Sequence, residues 1–471
     1  MYNNISISVS DDDSDDLSGR MRVRVKRKRK RLGFRGKKEI FRHLRLIGLK
    51  WWPVLLFLPF TALILFQLPR AGVKPKEERK ADLGVETEST NSTFVGGTEK
   101  PSNLNRLDQV TRVVSGVREP CLKLLSPEQL RHLEFPPALT PDPPVKSIIY
   151  RRDVDESHIS SSGIALQTYT EGTRFNAFTG NQTFVERHES FKVSETAVVH
   201  CGFYSESGGF KISEEDKHYV QSCKAVISTC AFGGGDDLYQ PIGMVEESLS
   251  KVCYVAFWDE ITKSAQEAQG TIIGGGGMIG KWRIIVVKDL PFTDQRLNGK
   301  IPKLLSHRLF PLARYSIWVD SKSQFRRDPM GVLEALLWRT NSVFAISEHG
   351  ARSNVYDEGN AIVRKHKATP EEVEIQLTQY RKDGFPDDKR YRGKRALAEA
   401  SIIVREHTPA TNLFTCLWFN EVVRFTSRDQ LSFPYVLRQL GILKINMFPV
   451  CTRKDLVNSL GHKRKVKPLT G

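Results

Sequence analysis

Cysteine is scarce in this 471-residue chain, and its spacing excludes the common zinc sites. The sequence contains seven cysteines, and none of them forms the closely spaced pairs that structural zinc sites use. The histidines form no HExxH pattern, so the best-known signature of a zinc hydrolase is also absent. An odd number of cysteines leaves at least one unpaired within the chain, and the sequence does not fix how the others pair.

The chain also lacks the glycine-rich fingerprints of nucleotide-binding loops. The run from Gly274 to Gly277 has neither the glycine spacing nor the Lys-Ser/Thr pair of a P-loop or dinucleotide motif. We interpret it as a loop. Internal repeats are absent too, which excludes a solenoid. Any nucleotide site must therefore use other residues.

Only one long apolar run is present, from Trp51 to Leu68, and its eighteen residues carry no charge. This length reaches the lower limit for a membrane-spanning helix. Between Arg20 and Lys50, fifteen Lys and Arg residues stand against one acid, Glu39. The positive-inside rule therefore predicts a cytosolic N-terminus and a lumenal body, as in a type II membrane protein.

Two alternatives compete with the membrane anchor. A cleaved signal peptide is disfavoured because no small-residue cleavage site follows the apolar run. The run from Lys26 to Arg31 is similar to a nuclear import signal, but its position beside the span favours an anchor-flanking arm. A nucleic-acid partner would require basic residues distributed over a folded surface, whereas here they are concentrated in one arm. We predict no nucleic-acid partner.

The pattern along the chain predicts five segments. Asn91 and Asn181 lie in glycosylation acceptor tripeptides, which agrees with a lumenal body. A short span suits the thin membranes of the early secretory pathway. The predicted segments are a disordered basic cytosolic arm (1–50), a transmembrane signal anchor (51–68), a stem or linker (69–145), a catalytic domain (191–455) and a basic tail (456–471).

Short apolar runs define the predicted domain. Each run has four to eight residues, is rich in Val, Ile and aromatic residues, and is flanked by Gly, Asp or Pro. Such runs are typical of strands buried on both faces, and helix-like stretches beginning near Pro241, Pro329 and Pro370 separate several of them. Alternating strands and helices predict a three-layer α/β domain, in which ligands bind at the carboxyl ends of the strands. The runs are TAVVHCGFY, KAVISTCAF, KVCYVAFWD, WRIIVV, YSIWVD, SVFAIS and ASIIVREH.

One strand end concentrates the candidate chemistry. The run from Tyr315 to Val319 is followed by Asp320 and, two residues later, by Lys322. The preceding stretch supplies several cations, which would suit an anionic substrate such as a diphosphate. A solvated basic helix face would give the same pattern, and Asp320 could simply begin a turn. The cations are Arg296, Lys300, Lys303, His307, Arg308 and Arg314.

Two further motifs carry polar residues beside apolar ones. In CAFGGGDDLYQP, glycines let the backbone approach a ligand, and Asp236 and Asp237 could bind a sugar nucleotide or cap a helix. In WFNEVVRFTSRDQLSFPYVL, aromatic and hydrogen-bonding side chains together could hold a sugar ring. The alternative for that segment is an amphipathic helix packed against the core.

Four motifs give the chain a resemblance to a known family. From about Val198 to Val450, the chain resembles the plant glycosyltransferase-like domain family that contains a probable mucilage hexosyltransferase and a turgor-regulation alkaline ceramidase. The motifs that carry this resemblance are CAFGGGDDLYQP, RYSIWVDSK, SEHGARSNVYDE and SRDQLSFPYVL.

The resemblance implies a GT-A-like fold with a mixed, mainly parallel sheet, flanking helices and a DxD-type strand end. DxD glycosyltransferases hold Mn²⁺ or Mg²⁺ through carboxylates, and the ion neutralises the diphosphate of the sugar-nucleotide donor. This chain departs from that pattern, because lysine stands at position 322 where the second carboxylate would be. Lys322 could then supply the positive charge directly, since residues i and i+2 of an extended segment point the same way.

The resemblance also suggests roles for individual residues. Asp320 is assigned to catalysis or to a metal ion, and Asp429 and Glu421 are candidate catalytic carboxylates. The residues assigned to the nucleotide-sugar donor are Asp236, Asp237, Lys322, Lys303, His307 and Arg308. The residues assigned to the glycan acceptor are Trp418, Arg428, Gln430 and His349.

Three functions compete. The favoured one is a membrane-anchored hexosyltransferase, in the Golgi as the resemblance implies, that moves a sugar from a nucleotide donor to a cell-wall or other glycan. A ceramidase is the alternative that one branch of the family suggests, although the sequence shows no tight zinc-ligand pattern for amide hydrolysis. The third is a non-catalytic scaffold, which would explain why the second aspartate of the DxD pattern is missing.

Overall fold

The computed structural model describes residues 103–137, 143–150, 182–202 and 210–462. The predicted span at 51–68 and the acceptor sites Asn91 and Asn181 lie outside these ranges. Within them, no helix combines the length and the apolar character needed to cross a bilayer.

An eight-stranded mixed sheet is the centre of the domain, in the order β15-β11-β14-β9-β5-β6-β8-β7. Its neighbours pair in parallel except at β11-β14, β14-β9 and β8-β7. The predicted mixed, mainly parallel sheet is therefore confirmed. The strands are β1 Thr111–Val114, β2 Val117–Pro120, β3 Ser147–Tyr150, β4 Thr196–Val199, β5 Ala225–Ala231, β6 Cys253–Asp259, β7 Met278–Ile279, β8 Trp282–Val287, β9 Tyr315–Val319, β10 Ser323–Phe325, β11 Phe344–Glu348, β12 Arg390–Tyr391, β13 Lys394–Arg395, β14 Ala398–Glu406, β15 Ile445–Phe448 and β16 Val457–Ser459.

Helices cover both faces of this sheet, and many begin with a side-chain cap. Thr369 and Glu372 form a capping box at the start of the helix Pro370–Lys382, and proline occupies the first turn of this helix and of those that begin at Pro329 and Pro409. The helices are α1 Pro127–Arg131, α2 Phe184–Glu189, α3 Glu214–Ser222, α4 Glu246–Lys251, α5 Glu260–Glu267, α6 Gln295–Leu304, α7 Ser306–Leu309, α8 Pro329–Leu333, α9 Val355–Arg364, α10 Pro370–Lys382, α11 Pro409–Arg424, α12 Asp429–Leu440 and α13 Val450–Leu456, with a π-helical turn at Glu334–Trp338 directly after α8.

Alternate residues of the central strands enter two separate cores. In β9, Tyr315, Ile317 and Val319 pack in the core that contains α8 and α13. Trp318 packs on the opposite face, in the larger core with α6, α11 and α12. This alternation is what a strand covered on both faces produces, and it makes the domain three-layered as predicted.

Residues predicted as stem and tail pack against the domain. The backbone carbonyls of Arg106 and Asp108 accept hydrogen bonds from the guanidinium of buried Arg326 at 2.8 Å. At the other end of the chain, β16 pairs with β10 in antiparallel fashion. The folded unit therefore includes residues 103–137 and extends to at least residue 462. Long-range contacts of this kind leave no local pattern in the sequence.

Three disulfides join distant parts of the described chain: Cys121–Cys451, Cys201–Cys416 and Cys223–Cys253. The seventh cysteine, Cys230, is free. The first bridge fastens the segment that was predicted as stem to α13. Disulfides persist in oxidising compartments, which agrees with the predicted lumenal body.

Candidate functional site at the carboxyl ends of the strands

Six strands of the sheet end at the same edge. β5, β6, β8 and β9 run in parallel, and β11 has the same direction because it is antiparallel to β14, which is antiparallel to β9. β15 is parallel to β11. Side chains that follow these strands are therefore brought together. The amino end of the antiparallel strand β14 lies at the same edge. This edge is where an open α/β sheet binds ligands.

Asp320 stands at this edge, directly after β9. Its backbone N–H donates to Ser401 of β14 at 2.9 Å, which fixes the turn. Oδ1 accepts hydrogen bonds from Trp318 Nε1 at 2.7 Å and from Lys303 Nζ at 3.2 Å. Oδ2 accepts none from the described part of the chain, and the side chain is 23% exposed. One oxygen is thus fixed, while the other remains available to a ligand.

Lys303 links Asp320 to a second, deeper carboxylate. Its Nζ lies 2.8 Å from Oδ2 of Asp429, and Lys300 Nζ lies 2.8 Å from the same oxygen. Both lysines project from α6, whereas Asp429 begins α12 and is 1% exposed. The indole of Trp418 donates to the Asp429 carbonyl at 3.0 Å, so α11 helps to position this carboxylate.

Burial and charge act in opposite directions on this cluster. Burial alone would raise the pKa of Asp429, but Lys300 and Lys303 outweigh it and hold that pKa well below its ordinary value. Burial would lower the pKa of Lys303, but Asp320 and Asp429 raise it instead. For Lys300 burial dominates, and its pKa is lowered. A carboxylate held in its charged form by two lysines is a poor proton acceptor, so Asp429 acts here as an anchor for Lys303.

Asp236 is brought to the same edge from the loop after β5. Its Oδ2 accepts a hydrogen bond from Ser321 Oγ at 2.9 Å and lies 2.6 Å from Nδ1 of His462. Ser321 is the residue after Asp320, so the two predicted acidic sites are neighbours. His462 reaches this position because β16 carries the end of the described chain past β10, and Leu460 N–H donates to the carbonyl of Lys322 at 2.9 Å. Lys322 itself is 9% exposed and lies in a turn that the Ser323 N–H closes onto the Asp320 carbonyl at 3.0 Å. The extended geometry expected for positions 320 to 322 is therefore wrong.

The glycine loop before Asp236 has a definite geometry. Gly233 and Gly234 have φ of 68° and 74°, a left-handed conformation that side chains other than glycine adopt at a cost. Gly233 N–H donates to Asp259 at 2.8 Å and Gly234 N–H to Thr262 at 3.0 Å. Asp259 is also the cap of α5. The glycines therefore allow the loop to close on α5, and Asp237 follows at its end.

His349 follows β11 at the same edge and is 3% exposed. Its Nδ1 accepts hydrogen bonds from the backbone N–H groups of Ala351 at 3.2 Å and Arg352 at 3.0 Å. Its Nε2 lies 3.7 Å from Glu358 and 3.9 Å from Glu399. The ring is thus enclosed by its own loop and two carboxylates. It shapes the loop before α9 and offers little surface to an acceptor.

Two other predicted acceptor or catalytic residues lie in the core. Trp418 is completely buried and packs against Phe433, with ring centroids 5.0 Å apart, so it has no free face on which a sugar could stack. Glu421 is 1% exposed, and its two oxygens accept hydrogen bonds from Arg187 at 2.6 and 2.9 Å. The amphipathic-helix alternative therefore describes this segment better than a sugar platform. Arg428 and Gln430, which flank Asp429, are each 5% exposed.

His307 and Arg308 lie on α7, at the beginning of the segment that leads into β9. Nε2 of His307 lies 3.3 Å from the sulfur of Cys416 and 3.6 Å from that of Cys201, two cysteines that are bonded to each other. Burial lowers the pKa of His307 well below its ordinary value. The guanidinium of Arg308 lies 4.0 Å from the centre of the Tyr150 ring. These contacts place both residues in packing roles.

The buried histidines predict a loss of stability in acid. Burial also lowers the pKa of His407, to about 3; its Nδ1 lies 2.7 Å from the Ala313 carbonyl and its Nε2 2.8 Å from Ser316 Oγ. In the unfolded chain both histidines titrate near pH 6.5. Their stabilising contribution is complete above that pH and is lost below it. We expect the free energy of unfolding to fall by about 2 kcal/mol per histidine between pH 7 and pH 5.

Urea unfolding of the full-length protein at the two pH values would measure this change. His407→Gln, which cannot titrate, should make the stability less dependent on pH. An equal loss in the variant and the parent would contradict the assignment.

The described donors do not fit a two-carboxylate metal site. Asp320 has one available oxygen, its other oxygen is bonded by Lys303, and Lys322 occupies the position of the second carboxylate. Elsewhere in the described ranges, Cys201, His307 and Cys416 lie within reach of a common ion, but the two sulfurs form a disulfide. Cations already supply positive charge beside Asp320, and we derive no step through a metal.

Sequence reasoning missed three parts of this edge. Ser321 and His462 orient Asp236, and Glu399 of β14 contributes to raising the pKa of Lys303. His462 lies in a segment that reads as a solvated tail, and its partner is 226 residues away in sequence. Only the three-dimensional pairing of β16 with β10 reveals its position.

Comparison with known proteins gives one family and several relatives. The family model described as TOD1/MUCI70, glycosyltransferase-like domain, matches residues 164–462. The chain is 38% identical over 297 residues to "Probable hexosyltransferase MUCI70" of Arabidopsis thaliana, covering 61% of this chain and 51% of that protein. It is 31% identical over 299 residues to "Alkaline ceramidase TOD1" of the same plant, covering 61% and 64%. The matched region thus spans about half to two thirds of these relatives.

Solved structures give weaker similarities. Mouse xyloside xylosyltransferase 1 aligns with a TM-score of 0.29 at 8% identity, covering 48% of this chain and 84% of that one. The mannosyltransferase Ktr4p from S. cerevisiae aligns with a TM-score of 0.24 at 9% identity, covering 56% and 77%. Similarities at this level carry no argument here.

Proposed function

Because the chain belongs to the TOD1/MUCI70 glycosyltransferase-like domain family, we propose that it transfers a hexose from a nucleotide-sugar donor to a glycan acceptor. The observation that carries the proposal is the cluster at the end of β9. There a partly exposed Asp320 lies beside Lys303 and two residues before Lys322. The family implies a nucleotide-sugar donor, and the acceptor we favour is a cell-wall polysaccharide. On this proposal the mixed sheet is the nucleotide-binding sheet of a GT-A-like fold.

The proposed roles follow from charge and position. Transfer breaks the bond between the sugar and its diphosphate, so negative charge develops on the leaving group, and fixed cations nearby stabilise it. Lys303 and Lys322 are the cations that we assign to this task. Lys303 is held in place by Asp429 at 2.8 Å and by Asp320 at 3.2 Å. The available oxygen of Asp320 is assigned to a hydroxyl group of the donor, and Asp236 supports the adjacent Ser321.

A panel of nucleotide sugars would test the proposal. Full-length protein in detergent is heated with each donor, and donors that raise the melting temperature are then offered with plant polysaccharides in a transfer assay. We expect at least one donor to stabilise the protein and to be consumed when a suitable acceptor is added. Ceramide hydrolysis by the same preparation, without any donor binding, would favour the amidase function named for one relative. Failure of every donor to bind would favour the scaffold.

Donor binding is expected to be independent of divalent metal ions. Since Lys322 stands at the second DxD position and Lys303 already contacts Asp320, chelation should change the donor's dissociation constant less than twofold. Calorimetric titration with EDTA, and again with Mn²⁺, measures this directly. A loss of binding in EDTA that Mn²⁺ restores would show that Asp320 holds an ion.

We also propose that the protein is a type II membrane protein of the Golgi with its catalytic domain in the lumen. The uncharged run at 51–68 and the basic arm before it support this topology. The three disulfides of the described domain agree with an oxidising lumen. Protease protection of the domain in sealed microsomes would test the orientation, since a cytosolic domain would be digested.

A further inference from the structure

A groove of about 690 Å³ runs along one face of α9. This volume lies within the range of about 300–1,000 Å³ that is typical of ligand sites. Positions 357, 360 and 364 of α9 recur at helical spacing and therefore share one face. The polar and charged residues that line the groove are Arg352, Ser353, Asp357, Asn360, Arg364 and Lys389.

Two cations in this lining have no partner in the described part of the chain. Arg364 and Lys389 are both exposed, and neither side chain makes a hydrogen bond or an ion pair there. No acid nearby forms an ion pair with either cation in the described part of the chain, and Asp357 is the acid that lies in the lining itself. Glu358 contacts Arg352, Asp388 pairs with Arg438 at 2.9 Å, and Asp387 accepts a hydrogen bond from Asn354 at 2.5 Å.

The remaining lining residues suit hydroxyl groups. Asp357 provides carboxylate oxygens that accept from hydroxyls, Asn360 can both donate and accept, and Ser353 adds a hydroxyl. A ligand with phosphate groups alone would be repelled by Asp357. A ligand that carries both negative charge and many hydroxyls would satisfy the whole lining. Sugar acids have this combination, with carboxylates for Arg364 and Lys389.

The groove is connected to the candidate site through packed polar residues. Arg352 lies in the groove wall, and its Nη2 is 3.2 Å from Nε2 of His349. The same His349 nitrogen lies 3.9 Å from Glu399. Glu399 belongs to β14, two residues before Ser401, whose carbonyl accepts the Asp320 N–H. The groove therefore lies on the edge of the sheet where the donor is proposed to bind.

We propose that this groove binds an acidic oligosaccharide, a chain of sugars bearing carboxylates. Its role as the acceptor site rests on the proposed function, but binding of the oligosaccharide does not require turnover. The negative charge of the ligand is recognised by Arg364 and Lys389, and its hydroxyls by Asp357 and Asn360. A carboxylate-bearing chain in this groove would lie along α9.

Calorimetric titration of the full-length protein with trimers of galacturonic acid and of mannuronic acid tests this inference. The galacturonate trimer in its fully methyl-esterified form is the neutral control. We expect at least one acidic trimer to bind and the ester to bind at least tenfold more weakly. The double variant Arg364→Gln/Lys389→Gln should lose at least tenfold in affinity for that trimer. The matched variant Arg112→Gln/Arg118→Gln, which removes two exposed cations from the β1-β2 hairpin, should not.

The outcomes separate this inference from the proposed transfer. Asp320→Asn should bind the acidic trimer with parental affinity, whatever its effect on turnover. Equal affinity for the trimer and its ester, absence of binding by both acidic trimers, or parental affinity in the Arg364/Lys389 double variant would overturn the groove assignment. These results would leave the proposed binding of the nucleotide-sugar donor untouched, because donor binding is measured in a separate titration.

Discussion

Asp320→Asn is expected to lower kcat/KM for sugar transfer by about 10–10²-fold while leaving the fold intact, because the donor hydroxyl loses its charged hydrogen-bond acceptor. Asparagine keeps the size of the side chain but removes the charge at the end of β9. Lys303 keeps Asp429 as its partner at 2.8 Å, so the buried cation is not left unpaired and the domain should fold. The measurement is steady-state transfer with the donor that the thermal-shift panel selects, together with the melting temperature of each protein.

Asp289→Asn is the matched control. Asp289 lies just after β8, its side chain is 71% exposed, and it has no assigned role at the site. We expect parental turnover from this variant. Turnover close to the parental value in Asp320→Asn, from a protein that melts normally, would remove Asp320 from the reaction.

Glu421→Gln is expected to destabilise the protein by about 1.5–3 kcal/mol, because the buried guanidinium of Arg187 loses one of its two carboxylate partners and keeps only Asp383 at 2.9 Å. Burial would lower the pKa of Arg187, but Glu421 together with Tyr435 and Asp383 raises it, so the arginine stays charged in the core. Its guanidinium also lies 5.0 Å from the ring of Tyr435 and 5.5 Å from that of Phe425. Urea unfolding measures the loss.

The matched control for this pair is Glu374→Gln. Glu374 and Arg381 form an ion pair whose side chains are 67% and 52% exposed, and exposed pairs contribute little. If Glu421 were catalytic, its variant would unfold normally and lose turnover. If it is structural, the fraction of Glu421→Gln that remains folded should retain its turnover per molecule.

The sequence predicts the sheet because buried strands leave a strong local signal. All seven apolar runs form strands, although the first becomes β4, which pairs with β3 outside the central sheet. β15, whose four residues INMF pair with β11, was missed because so short a run is ambiguous. The helix expected from Pro241 begins at Glu246, and the N–H of Ile242 before it donates instead to the Phe325 carbonyl of β10 at 2.9 Å.

The site is predictable only in part, because only some of its residues leave a local signal in the sequence. A carboxylate directly after an apolar run can be placed at a strand end, so the position of Asp320 is predictable from the sequence. Which lysine contacts Asp320 depends on how α6 packs, and Lys303 makes the contact described here. Burial of Trp418 and Glu421 depends on the packing of α11 between other helices, which local composition does not determine.

The most direct test of the account compares a nucleoside diphosphate with the nucleoside alone, since the central claim is that lysines at the end of β9 hold the diphosphate. UDP and uridine, and likewise GDP and guanosine, are titrated into the full-length protein by calorimetry in EDTA. We predict that one diphosphate binds at least tenfold more tightly than its nucleoside, and that Lys322→Met removes most of this difference. Equal affinity of diphosphate and nucleoside in the parent, or an unchanged difference in Lys322→Met, would contradict the account.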